Sequence, residues 1–182
     1  MKIKNFKDET EIPAGIEIKI DNGIVTVSKD GKSLSKKMMH KGVAQNVENN
    51  KFVVTFKNGS KKEKMMANTF IAHIKNMFKG VSEGHKYKLK ICSGHFPMNV
   101  AVSGNKLTIS NFLGEKKPRE MKIKEGVNLK IEGDIITIEG ISKDVASQVA
   151  ADIEQLTRIR GRDLRIYQDG IYITNKDGEV LS

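Results

Sequence analysis

The sequence predicts an α+β protein made of two tandem duplicated modules, each an antiparallel β-sheet packed against one α-helix. Three observations carry this expectation. Short alternating apolar runs are separated by Asn-Gly and Asp-Gly pairs, which suit the positive φ angles of tight hairpin turns. Two longer segments, each following a serine, switch to the apolar spacing of a helix. The same succession of strands, turns and helix then returns about 83 residues later, with a drift of about two residues.

In the first module, Ile16, Ile18 and Ile20 alternate along a strand that ends at Asn22-Gly23. Ile24 to Val27 form its partner, Asp30-Gly31 the next turn, and a strand containing Leu34 and Met38 follows. Residues 43–47 pair with Phe52 to Phe56 across Glu48-Asn49-Asn50, and Asn58-Gly59 ends that strand. Ser60-Lys61-Lys62-Glu63 has the spacing of a capping box, in which the serine accepts from a free amide and the glutamate reaches back. Met66, Phe70, Ile74 and Met77 then form one apolar stripe, with Gly80 as the expected C-cap. That spacing makes the methionines core residues rather than an adaptable binding groove.

The second module repeats the pattern. Asn99 to Ser103 lead through Gly104-Asn105 into Leu107-Thr108-Ile109, and Phe112-Leu113-Gly114 turns into a strand around Met121 and Ile123. Val127 to Ile131 pair with Ile135 to Ile138 across Gly133-Asp134, and Gly140 ends the strand. Ser142 caps a helix with the stripe Val145, Val149, Ile153 and Leu156, and Gly161 lies beyond its end. Residues 79–86 form the joint, which sets the modules at 1–81 and 82–182.

Composition narrows the function. With 32 basic and 22 acidic residues, the 182-residue chain carries a net charge of +10, which favours a polyanionic partner, nucleic acid before an anionic membrane. No apolar run is long enough to span a bilayer, and the amino terminus lacks the apolar stretch of a secretory signal. The single cysteine, Cys92, excludes an intramolecular disulfide framework and suggests an intracellular protein. Residues 1–81 hold 16 lysines, no arginine and 8 acids, whereas 82–182 hold 11 lysines, 5 arginines and 14 acids. Lysine gives the first module a diffuse attraction for RNA. Arginine gives the second planar, bidentate contacts to phosphate and bases.

No nucleotide-binding loop, hydrolase elbow or metalloprotease motif occurs, and the carboxylates are scattered through charged segments. Neither an enzyme, nor a cofactor, nor a metal site is expected. Cys92 and His95 have the spacing of half a zinc site, but a structural site needs about four ligands, and the whole chain holds only one cysteine and four histidines to supply them, so a zinc site is not expected. Four of the five arginines lie between Thr157 and Tyr167: Arg158, Arg160, Arg162 and Arg165. The dipole of the preceding helix accounts for Arg158 and in part for Arg160, but not for the other two. Phosphate binding is the preferred reading of this segment. A second basic cluster, Lys116, Lys117 and Arg119, follows Glu115. The loop Ser93 to Pro97 offers His95 and Phe96, whose rings can stack on unpaired bases.

These residues also carry a family resemblance. His95 to Val100, Asn111 to Lys116 and Asp163 to Ile173 resemble ribosomal large-subunit protein six. Val149 to Ile159 is similar to the archaeal members, and Asn76-Met77 with Gly80 to Gly84 is similar to a joint shared with bacterial ones. The resemblance implies two duplicated α+β domains without catalytic activity, cofactor or small-molecule substrate. It implies a cytoplasmic protein of the large ribosomal subunit. Its partners would be large-subunit ribosomal RNA around the sarcin–ricin loop, on the factor-binding side, and neighbouring ribosomal proteins near the stalk base. Residue by residue, it carries over the loop at His95 and Phe96, the turn at Lys116, and the arginine segment as far as Tyr172. The alternatives are a free-standing RNA-binding module, such as a chaperone, and an enzyme on acidic substrates, for which the chain offers no pocket of convergent titratable groups.

Overall fold

In the computed structural model, which describes residues 3–181, the first unit opens with an edge strand, β1 (Ile3–Glu11). Then come β2 (Glu17–Asp21), β3 (Ile24–Lys29), β4 (Lys32–Lys37), β5 (Ala44–Glu48) and β6 (Lys51–Gly59). All pairings are antiparallel, and they form two sheets of order β1-β6-β5 and β2-β3-β4. The turn at Asn22-Gly23 takes the expected positive φ angles of 46° and 78°. Helix α1 (Lys61–Ser82) packs against strands of both sheets and buries Phe70, Ile74 and Met77. Its capping box forms: Ser60 Oγ accepts from the Lys62 N–H at 3.2 Å, and the Glu63 carboxylate accepts from the Ser60 N–H at 2.6 Å. The Ser60 hydroxyl also donates to the Glu63 carboxylate, and this bond, followed by the one from the Ser60 N–H, holds the Glu63 carboxyl at a pKa of about 2.

The second unit begins at Gly84. Its strands are β7 (His85–Cys92), β8 (Asn99–Ser103), β9 (Lys106–Ser110), β10 (Arg119–Lys122), β11 (Val127–Glu132) and β12 (Ile135–Gly140). Helix α2 (Lys143–Leu156), β13 (Gly170–Lys176) and β14 (Glu179–Val180) complete it. The duplication is preserved in register: Ile18 faces Val27, and 82 positions later Val100 faces Ile109. A 3-10 turn at Phe112–Gly114 lengthens the β9–β10 connection relative to its counterpart. The sheets are β10-β9-β8 and β11-β12-β7-β13-β14. Strand β7 lies inside its sheet, with Tyr87, Leu89 and Ile91 buried and Lys86, Lys88 and Lys90 exposed. Ala146, Val149, Ala150 and Ile153 are each fully buried on α2 and pack with Leu89, Ile136, Ile138 and Ile171. Each large side chain buried in this way stabilises the unit by ~1.5–3 kcal/mol.

The α+β expectation holds, with the strands of each unit divided between two sheets. Several details differ. Gly80 does not end α1. It is buried inside the helix, which continues to Ser82, and Gly84 takes the left-handed turn (φ 81°) just after the C-cap Glu83. Only Glu83 and Gly84 therefore separate the helix from β7. Ser142 occupies the N-cap of α2, but its side chain makes no capping hydrogen bond. Met38 is buried just beyond the end of β4. The alternation along β1 escapes the sequence reading because Phe6 is the only large apolar side chain from Lys4 to Glu11, and β13 because basic, irregular chain precedes it.

Candidate nucleic-acid interface

Three segments far apart in sequence meet at one end of the second unit. The first is the loop after β7, Ser93 to Met98. The second is the 3-10 turn and the chain leading to β10. The third runs from the end of α2 into β13.

The end of α2 anchors the third segment. Thr157 is buried, and its hydroxyl donates to the Glu154 carbonyl at 3.2 Å and accepts from the Ile171 N–H at 2.9 Å. The Glu154 carboxylate accepts from the Ile173 N–H at 3.0 Å. Both ends of the intervening stretch are thus fixed on one helix terminus, and the stretch itself is exposed. Arg158, Arg160, Arg162 and Arg165 all reach solvent, while Ile159 is tucked into the core.

The arginines differ in what they touch. Arg158, Arg160 and Arg162 line an open cleft beside Leu113 and Gln155. The guanidinium of Arg162 lies over the Tyr167 ring, 4.8 Å from its centroid. Arg165 is clamped to Asp163, with Nη2 to Oδ2 at 2.9 Å, and that pairing holds the Asp163 carboxyl below its ordinary pKa. Arg119 is committed inside the protein. Its Nε donates to Glu115 at 2.9 Å, its Nη1 donates to the Leu156 carbonyl at 2.6 Å, and its guanidinium covers the Phe112 ring at 4.2 Å. It is therefore Arg119 that donates to a carbonyl at the negative end of α2. Lys116 and Lys117 are exposed on the loop before β10.

Asp169 ties the loop after β7 to the arginine segment. Its carboxylate is buried and accepts from the N–H groups of Gly94 (2.7 Å) and His95 (2.9 Å) and from His95 Nδ1 (2.6 Å). Burial raises the Asp169 pKa, but the bonds from His95 and Gly94 outweigh it and hold the carboxyl below its ordinary value. The His95 ring is also tilted against Tyr167, with centroids 4.8 Å apart. Phe96 diverges from it and covers Gly114, and Asn111 donates to the Pro97 carbonyl at 2.9 Å. Tyr172 is 42% exposed, and its hydroxyl donates to the Gln168 carbonyl at 3.3 Å.

The structure thus brings His95, Arg162 and Tyr172 around one framework, with Phe96 covering the adjoining 3-10 turn and Lys116 and Lys117 on the loop that follows it. Asp169, Thr157, Glu154 and Tyr167 have structural roles that the sequence reading did not assign. A lone carboxylate in a polar stretch reads as surface, and nothing in the sequence signals that Asp169 is 2% exposed. Among the described residues, no group of three or more His, Cys, Asp or Glu side chains is placed to hold a metal ion. No helix among them is long and apolar enough to cross a membrane.

The profile of the family described as Ribosomal protein L6 matches residues 12–84 and again 96–170. The chain is 44% identical over 176 residues to the large ribosomal subunit protein uL6 of Methanococcus vannielii, covering 97% of each chain. It is 41% identical over 172 residues to the large ribosomal subunit protein uL6 of Methanobrevibacter smithii, covering 94% of this chain and 97% of the relative.

Proposed function

The chain belongs to the ribosomal protein L6 family, and from that premise we propose that it is a structural, non-enzymatic constituent of the large ribosomal subunit. It binds large-subunit ribosomal RNA near the factor-binding side, around the sarcin–ricin loop, and adjoins other ribosomal proteins at the stalk base. It works in the cytoplasm, within the subunit.

The observation that carries this reading is the convergence of the three motif segments on the end of α2, with Arg158, Arg160 and Arg162 exposed around one cleft. The chemistry suits folded RNA. Guanidinium groups neutralise phosphates, while aromatic and polar loop groups fix the protein's register. Recognition is by shape, because the deep, narrow major groove of A-form RNA keeps most base edges away from side chains. Within the interface, Lys116, Lys117, Arg158, Arg160 and Arg162 contact phosphate directly, and His95, Phe96 and Tyr172 contact bases or sugars. Arg119 has internal partners and acts mainly by shaping the loops, whereas Arg165 is exposed and exchanges its surface pair with Asp163 for part of a phosphate contact. The first module, 1–81, with its 16 lysines, supplies long-range attraction, and the second, 82–182, supplies the specific contacts.

Hydroxyl-radical footprinting of the full chain on large-subunit RNA tests this directly. Protection around the sarcin–ricin loop and the stalk base is expected, and protection confined elsewhere overturns the location. Cosedimentation with large subunits through a high-salt wash separates a resident protein from a free-standing RNA-binding module, which would wash off.

A further inference from the structure

Next to the arginine segment is a second hollow, of about 580 Å³, between the end of β7 and the chain entering β13. That size falls within the ~300–1,000 Å³ of small-ligand sites. Cys92, Gly94, His95, Ile166, Gln168 and Tyr172 are among its walls. Ile166 is 63% exposed. A single exposed aliphatic side chain is ordinary, but this one shares its hollow with a half-exposed phenol ring and an imidazole. The walls are fixed in advance. Asp169 and Tyr167 hold the His95 ring, and the Tyr172 ring lies so close to Gly170 that an added Cβ there would be 3.1 Å from it. No lysine or arginine lines the hollow, so it is poorly suited to phosphate. Flat rings and an aliphatic wall suit an uncharged planar group, and the exposed Ser93 and Gln168 can bond to its edge. The arginine segment alongside supplies the charge complementarity that brings a polyanion to this place.

We propose that this hollow receives one unpaired nucleobase of the bound RNA, held between Tyr172, His95 and Ile166. The proposal rests on the reading that the arginine segment docks on ribosomal RNA, and it adds a site that holds a base rather than phosphate. Stacking of one base against an aromatic wall is worth ~1–3 kcal/mol by truncation, about 5- to 160-fold in affinity.

The test uses the full-length protein and transcribed archaeal large-subunit ribosomal RNA. Affinity is measured at several potassium chloride concentrations, and base accessibility is read by dimethyl sulfate probing and selective acylation. Ile166→Ala is the test variant. Leu164→Ala, equally exposed at 63% but not a wall of the hollow, is the control. The Ile166 variant loses apolar contact worth ~0.8 kcal/mol per buried methylene, so it should bind about 5-fold more weakly, with its salt dependence unchanged, and a base protected by the wild type should become reactive again. The control should match the wild type. A flatter salt dependence for the Ile166 variant would assign the hollow to phosphate and overturn the proposal. Unchanged affinity and footprint would overturn it too, leaving the hollow to a side chain of a neighbouring protein. Failure of the underlying reading looks different, because the wild type itself would then show no specific protection.

Discussion

Replacing Arg158, Arg160 and Arg162 together with alanine removes the three exposed guanidinium groups around the cleft at the end of α2. If each neutralises one phosphate, binding of the variant releases fewer counterions. At ~0.7–0.9 per contact, the slope of log affinity against log salt should fall in magnitude by about 2–3. Between 50 and 200 mM salt, the ratio of wild-type to variant affinity should then shrink by about 20- to 40-fold. Arg165 is left in place because it is already paired with Asp163, so Arg165→Ala alone should change the slope by less than one full contact (~0.7–0.9). Loss of charge weakens binding to RNA wherever the residues sit, so the slope is more diagnostic than the affinity. Removing Arg162 from the Tyr167 face also forfeits ~0.5–1 kcal/mol of cation–π attraction. Circular dichroism and a thermal melt must therefore show that the variant is folded. A folded variant with the wild-type slope would refute the reasoning and place the cleft away from the RNA.

Three further outcomes are expected. Ile153 is fully buried on α2, so Ile153→Ala should destabilise the second unit by ~2–5 kcal/mol. Urea titration should show a lower midpoint with an unchanged slope. Glu63 has a folded-state pKa of about 2, below its ordinary value of 4.5, so its capping contribution is complete above about pH 4.5 and is lost as the pH falls toward 2. Thermal melts of Glu63→Gln should lack that acid-side loss, and a wild-type pH profile in the variant would contradict it. A fragment of residues 82–182 should retain most of the specific RNA affinity, whereas 1–81 should bind weakly and without specificity. Filter binding of both to the same RNA decides, and equal specific affinity from the lysine-rich piece would contradict the division of labour.

The parts of the fold legible in the sequence were those with strong local signals. Asn22-Gly23, the capping box at Ser60 and the stripe through Phe70 and Ile74 are each set by residues within a few positions of one another. The duplication was legible because matched patterns in order are hard to produce by chance. What stayed hidden depends on distant partners. Strand β1 is largely polar and gains its place by pairing with β6, and β13 by pairing with β7 and being clamped by Thr157 and Glu154. The candidate site divides in the same way. Exposure of the arginines follows from glycine and charge in sequence, but the roles of Arg119 and Arg165 do not. The first is set by the carbonyl of Leu156, 37 positions away, and the second by a pairing with Asp163 that competes with any outside partner.

The two units share a core pattern and differ in how the chain continues beyond the helix. Their shared parts run in step: β2 begins at Glu17 and β8 at Asn99, α1 at Lys61 and α2 at Lys143, each 82 residues apart. Beyond the helices they part. After α1 only Glu83 and Gly84 intervene before β7, so the first unit has no following strand to lay beside β1. That edge carries Lys4, Lys7, Glu9 and Glu11, charges of the kind that discourage a passing strand from pairing. After α2 the chain instead loops through the arginines and returns as β13 on the free edge of β7. The return makes the loop, and the loop lies across the end of a helix, beside the 3-10 turn and under the residues after β7. The candidate interface is therefore absent from the duplicated core. It centres on the chain between α2 and the additional strand β13, where four of the five arginines lie; none lies in residues 1–81.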